Sequence, residues 1–224
     1  IHLGHLVEYL QTDIWARSQK MAGNECVYIC ADDAHGTPIM LKAREIGITP
    51  EELIEKTYKE HTKDFKDFQI EFDNFHTTHS DENKEISEKI YVALRERGDI
   101  NSKKIEQFYD EQAKMFLPDR FIKGECPKCG AKDQYGDSCE ECGATYSPSD
   151  VKNPISTVSN TKPIKKETEH VFFKLSSYEN FLSKWMSDND IQKEIKNKLS
   201  EWLSSGLADW DITRDKPYFG FKIP

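Results

Sequence analysis

The stretch CVYICADDAHGTPIM, residues 26–40, sets the fold class. Its first five residues are apolar, β-branched or aromatic, which predicts a short strand buried on both faces. ADDAHG then has loop chemistry, and the run from Pro38 to Ile46 predicts a helix stopped at Gly47. A strand followed at once by two acids, a histidine and a helix start is the arrangement that open α/β sheets use for ligand sites. The alternative is a capped loop with two solvated aspartates.

Upstream, Leu6, Val7, Leu10, Ile14 and Met21 fall at helical spacing from Leu3 onward, with Gly23 as the stop. Downstream, Thr49-Pro50-Glu51-Glu52 opens a helix with a capping box and carries Leu53, Ile54, Tyr58, Phe65 and Phe68. FDNFH, residues 72–76, is a second strand, and Ser80 opens another helix ending at Gly98. This is the alternation that a parallel α/β sheet requires. After about residue 100 the pattern changes to short strands (KIEQFYD, RFIKG and HVFFKL) and paired cysteines. Two helical segments follow between residues 177 and 205, with Trp185 and Trp202 as core candidates, and the aromatic tail reads as irregular. Cys30 reads as a small buried residue in its strand.

The 224 residues suit one large domain, or one domain with an insertion, and 37% hydrophobic content can build a core. No apolar run approaches the roughly 20 residues of a membrane span, so no membrane partner is expected. A net charge of −9 argues against DNA and against general adhesion to nucleic acid, while leaving room for a local tRNA site. The basic run Lys162, Lys165 and Lys166 is followed by Glu167 and Glu169 and reads as a solvated loop.

Three further stretches carry chemistry. HLGH, residues 2–5, stands at a helix N-terminus, where free N–H groups and the helix dipole favour an anion. Gly4 lets a flat ring or a phosphate approach the backbone, and His2 and His5 add donors. Two ordinary surface histidines are the plain alternative. CPKCGAKDQYGDSCEECG places Cys126, Cys129, Cys139 and Cys142 in two C-x2-C pairs, each followed by glycine. That spacing suits one tetrahedral structural Zn²⁺ with no open ligand position. Two disulfides are the alternative, disfavoured in the reducing, cytoplasmic setting that a chain without export signals implies. WDITRD, residues 210–215, could return to the catalytic sheet, but spacing alone favours a surface turn with an exposed ion pair.

Taken in order, these stretches resemble the methionine-specific branch of the class I aminoacyl-tRNA synthetases. HLGH resembles the HIGH signature, and CADDAHGTPIM, MFLPDRF, QYGDSCEECGATYSP and WDITRDKPYFGF resemble successive later blocks. The resemblance covers essentially the whole sequence. It implies the first half of a Rossmann-like (HUP-type) nucleotide-binding fold over residues 1–98, and a connective-peptide insertion over 99–206 with a zinc knuckle at about 124–146. Residues 207–224 would return toward the catalytic domain.

It further implies methionine–tRNA ligase chemistry: methionine and ATP give methionyl-adenylate, which is transferred to the 3′ end of tRNA(Met), with Mg²⁺ accompanying ATP. His2, Gly4 and His5 would bind ATP, with His2 and His5 stabilising the transition state. Asp33 would bind the methionine ammonium group, Arg214 would interact with that acid, and Trp210 would belong to the wall around the methionine side chain. The four cysteines would hold the zinc. The family's strand before HIGH and its second signature, KMSKS, lie outside this sequence, so the resemblance reads the chain as a fragment, inactive or nearly so alone. Two other readings stay open: an HxGH nucleotidyltransferase of another kind, and a non-catalytic zinc-bearing RNA-binding module.

Overall fold

The computed structural model describes all 224 residues, which divide into two compact units. The first comprises Ile1–Ser87 together with Tyr218–Lys222, and the second comprises Glu88–Pro217 with the last two residues.

The first unit is built from helix α1 (Leu3–Met21), strand β1 (Ile29–Asp32), helices α2 (Thr37–Ile46) and α3 (Pro50–Asp67), and strand β2 (Asn74–Thr77). The strands pair in parallel, Ile29 opposite Asn74 and Asp32 opposite Thr77, with α2 and α3 forming the crossover. The α/β reading of the sequence therefore holds. At the start of α3 the capping box forms as expected: Thr49 Oγ1 accepts from the Glu52 N–H, and the Glu52 carboxylate accepts from the Thr49 N–H. Gly47 ends α2 in the left-handed region with φ 74°.

Helix α4 (Asp81–Glu96) follows β2, and the turn after it contains Gly98, φ 80°.

The unit's core is aromatic. Leu6, Ala16, Tyr28, Phe65 and Ile70 are buried together, flanked by Tyr9, Phe72 and Phe75. Phe65 meets Tyr9 and Phe72 edge-on, each at 4.9 Å. Three sequence expectations change here. The strand at CVYIC begins only at Ile29 and is not buried on both faces: β1 hydrogen-bonds to β2 alone, and Ile29 is 66% exposed. On α1 the buried stripe is Leu6, Asp13 and Ala16, while Val7, Ile14 and Met21 face solvent. Asp13 is buried because it accepts from the Arg17 guanidinium at 2.6 Å and the Glu71 N–H at 3.0 Å. Cys30 is half-buried rather than fully enclosed.

The second unit is antiparallel. Strands β3 (Ile100–Asp110), β4 (Met115–Phe116), β5 (Ile122–Glu125), β6 (Gln134–Tyr135), β7 (Lys152–Ser156), β8 (Ile164–Phe173) and β9 (Trp210–Asp211) make two sheets, ordered β4-β3-β8-β9 and β6-β5-β7. Helices α5 (Glu179–Asp188) and α6 (Lys193–Ser205) lie between β8 and β9. Phe108, Met115, Leu117, Ile122 and Val151 form the core. Gly124 is required on β5, because a Cβ there would lie 2.5 Å from the Lys152 carbonyl oxygen.

Lys165 and Lys166 are not in a loop. They sit on β8, where Lys165 pairs with Glu106 at 3.8 Å and Lys166 Nζ lies 3.5 Å from the Tyr109 ring centre. The alternation of β8 against β3 outweighed the charge run in setting local structure. Trp185 and Trp202 are 48% and 55% exposed, so neither is core. Apolar helix faces show which side can be buried, not that this chain buries it. No helix is long and apolar enough to cross a membrane.

Candidate active site and metal centre

His2 is the N-cap of α1. Its extended backbone (φ −106°, ψ 166°) turns the imidazole onto the first turn, where Nδ1 accepts from the N–H groups of Gly4 (3.1 Å) and His5 (3.4 Å). Gly4 makes this possible, since a Cβ there would stand 3.0 Å from His2 Cε1. The flat group that approaches the backbone is thus His2 itself, and two of the amides expected to await an anion are already engaged. Because Nδ1 accepts, Nε2 carries the proton and is the donor left to the ring. The His5 ring stacks on His2 at 3.6 Å. Its pKa is lowered, first by burial and then by the charges of His2, the α-amino group and His61. A cleft of about 410 Å³ opens here, lined by Ile1, His2, His5, Tyr9 and His61. His2 and His5 thus stand together at this cleft beside Gly4, and His61, which the sequence reading did not single out, joins them.

At the end of β1 the two adjacent acids separate. Asp32 Oδ1 accepts from His61 Nδ1 at 2.7 Å, while its Oδ2 is buried without a partner. Asp33 is exposed, with no hydrogen bond or ion pair to the chain. One acid ties α3 to the sheet, and the other is left exposed.

His35 Nε2 lies 2.8 Å from His79 Nδ1, and its ring meets Phe221 edge-on at 4.6 Å. Burial and then His79 lower the His35 pKa. The Gly36 N–H donates to the Phe219 carbonyl at 2.9 Å, so the segment 218–222 closes on the HG turn. Gly36 is needed there: its φ of 115° strains any residue with a Cβ.

WDITRD is more ordered than a surface turn. Trp210 and Asp211 form β9 against β8, and Asp211 and Asp215 flank the buried His170, at 2.5 Å to Nδ1 and 2.8 Å to Nε2. Arg214 Nη1 donates to the Asp211 and Thr213 carbonyls rather than to a carboxylate. The acids of this stretch are spent on a buried histidine of the neighbouring strand, a partner that spacing within WDITRD does not reveal. Trp210 and Arg214 are exposed, and both belong to the second unit, whereas Asp33 belongs to the first.

The four cysteines converge. Their sulfurs lie within 4.8 Å of one another, with Cys126–Cys142 at 3.9 Å and Cys129–Cys139 at 3.6 Å. Tetrahedral Zn²⁺ with bonds of about 2.3 Å requires sulfurs about 3.8 Å apart, whereas a disulfide needs about 2.05 Å. Each pair repeats one turn: Cys129 N–H on Cys126 Sγ and Cys142 N–H on Cys139 Sγ, at 3.5 and 3.4 Å. Gly130 and Gly143 follow with φ of 78° and 68°. Burial pushes the Cys126 thiol up, but the N–H groups of Cys129 and Lys128 and the neighbouring thiols bring it below the usual thiol value, while Cys129, against the Ala131 N–H, is held above it by Cys142. This donor set fits one zinc ion.

Among the residues sequence reading missed, His79 had a signal, since it follows the carboxyl end of a strand adjoining β1. His61 had a fainter one, lying three residues after Tyr58 and four before Phe65 on the apolar face of α3.

The chain belongs to the family described as tRNA synthetases class I (M), whose profile matches residues 1–224. In structure it is similar to Mycobacterium tuberculosis methionyl-tRNA synthetase in complex with methionyl-adenylate, with TM-score 0.73 and 20% identity over the whole of this chain and 40% of that one. A second structure of the Mycobacterium tuberculosis enzyme, bound by methionyl-adenylate, gives TM-score 0.72 at the same identity and coverage. The chain thus spans 40% of the length of these relatives.

Proposed function

We propose that the chain supplies the HLGH half of a methionine–tRNA ligase. The observation that carries this reading is the family match over all 224 residues, joined to a cleft that gathers His2 and His5 at a helix N-terminus. The enzyme would activate methionine with ATP and Mg²⁺ to methionyl-adenylate and pyrophosphate, then esterify the 3′ end of tRNA(Met). The methionyl-adenylate in both structural relatives supports that substrate pair.

His2 and His5 would donate to the phosphates, stabilising the charge that builds as pyrophosphate leaves. Exposed and unpaired, Asp33 would take the methionine ammonium group. Arg214 would organise the site and Trp210 would wall the methionine side chain. Residues 99–206 would form the connective peptide approaching the tRNA acceptor end, with Cys126, Cys129, Cys139 and Cys142 holding one zinc that stabilises its local fold. The setting would be cytoplasmic.

No KMSKS sequence occurs in these residues. Without that second phosphate clamp, the 224-residue chain alone would lose several kcal/mol of transition-state stabilisation, on the order of 10³-fold in rate. The test is ATP–pyrophosphate exchange, run on this chain and on the longest natural chain containing it. Exchange driven by methionine but not leucine in the longer chain, and near silence in this one, is expected. Exchange that ignores the amino acid would instead favour a nucleotidyltransferase of another kind.

A further inference from the structure

The His61–Asp32 pair is unused by the reading above. His61 lines the same cleft as His2 and His5, but it comes from α3, nearly sixty residues away in sequence. Its Nδ1 is fixed by Asp32 Oδ1 at 2.7 Å, which leaves Nε2 as the ring's only unbonded nitrogen. The carboxylate behind it has no other ligand, for Asp32 Oδ2 is buried and receives no donor. Compensation of that charge therefore falls to His61 alone.

The other two rings are less suited to carrying charge. His2 uses Nδ1 as an acceptor to cap α1, and a second proton there would break the cap. The His5 ring is stacked on His2 at 3.6 Å and held toward its neutral form by burial, His2 and His61. A polyanion entering the cleft needs at least one full positive charge near it, in surroundings drier than bulk water.

We propose that His61, oriented by Asp32, is the third imidazole of this cleft and the one that meets a polyphosphate as an imidazolium. As the anion arrives, the ring takes up its second proton, Nε2–H donates to a phosphate oxygen, and Asp32 balances the charge through Nδ1–H. His61 is thus a binding residue, and Asp32 is a positioning residue that acts through it. The inference rests on the reading of the HLGH cleft as a phosphate site. The remaining ionisable groups around the pair are Tyr9 on α1, Cys30 on β1, and Asp64 on α3, which is paired with the amino group of Ile1.

The experiment is calorimetric titration of this chain with ATP and with inorganic tripolyphosphate, between pH 6 and 8. Wild type, His61→Gln, Asp32→Asn and His5→Ala are compared, each checked by its unfolding midpoint. Wild type is expected to bind more tightly as pH falls. His61→Gln should weaken binding about tenfold at neutral pH and make the pH dependence shallower. In Asp32→Asn the rise in affinity should move to lower pH, a shift that a strut merely joining α3 to β1 would not produce.

If the His61 and Asp32 variants keep wild-type affinity and pH profile while His5→Ala loses binding, the proposal fails and the HLGH phosphate reading survives. A lowered midpoint with unchanged affinity would likewise assign the pair a purely structural role. If wild type binds neither anion, the phosphate reading of the cleft fails, and the role of His61 with it.

Discussion

Residues 124–146 gather four thiols from two copies of one short turn, whereas the imidazoles around the HLGH turn come from two helices far apart in sequence. In the knuckle each cysteine pair brings its own glycine and its own N–H···S bonds, so the ligand set is assembled locally. At the HLGH turn only His2, Gly4 and His5 are local. His61 arrives through α3, fixed by an acid at the end of β1. Local assembly makes a site readable in sequence, and assembly through the fold does not.

The largest expected effect tests the local half of that comparison. Stripping zinc with a chelator, or replacing the buried Cys126 with Ser, should take bound zinc from one per chain to none. Amide protection around Gln134 and Cys139 should collapse, because metal binding here doubles as folding energy of several kcal/mol or more. Zinc analysis with hydrogen exchange checks this, and the core around Phe65 should keep its protection. Loss of protection in both units together would show that the knuckle is not locally assembled.

The converse change is Phe65→Ala. This ring is 4% exposed and touches Tyr9, Phe72 and Phe75, so its loss should cost about 3–5 kcal/mol in a denaturant titration of the first unit. Zinc stoichiometry should remain at one. A smaller loss is expected from Thr49→Ala, which removes the acceptor of the capping box and should cost about 1 kcal/mol.

The smallest effect is a pH dependence. His35 has its pKa lowered in the folded state, by burial first and then by His79. The unfolded chain then binds more protons than the folded one below the ordinary histidine value of about 6.5. Stability should fall as pH drops from 6.5 through the folded pKa, and it should be fully present above 6.5. His35→Gln should flatten that slope in unfolding midpoints measured between pH 5 and 7.5. An unchanged slope would show that the HG turn contributes nothing to it.

Legibility followed the same divide. The alternation of elements from Leu3 to Gly98, the Thr49 capping box and the four cysteines could all be read because their causes lie within a few residues. Burial could not. Ile29 on β1 and the tryptophans of the two helices between β8 and β9 look like core residues, yet each needs a partner surface that its own sequence neighbourhood does not specify. WDITRD showed the same limit, since Asp211 and Asp215 find their partner, His170, only through the β8–β9 pairing. Lys165 and Lys166 were misread because strand register, fixed by β3, outweighed the local run of charge.

The central claim is that the HLGH turn is the phosphate-handling half of a methionine-activating site. Its most direct test is His5→Ala in the longest natural chain containing these residues, followed by methionine-dependent ATP–pyrophosphate exchange. Loss of one preorganised donor should lower kcat by about 10²- to 10³-fold, with the unfolding midpoint and zinc content unchanged. Exchange at the wild-type rate would contradict the claim and return His2 and His5 to the role of a helix cap.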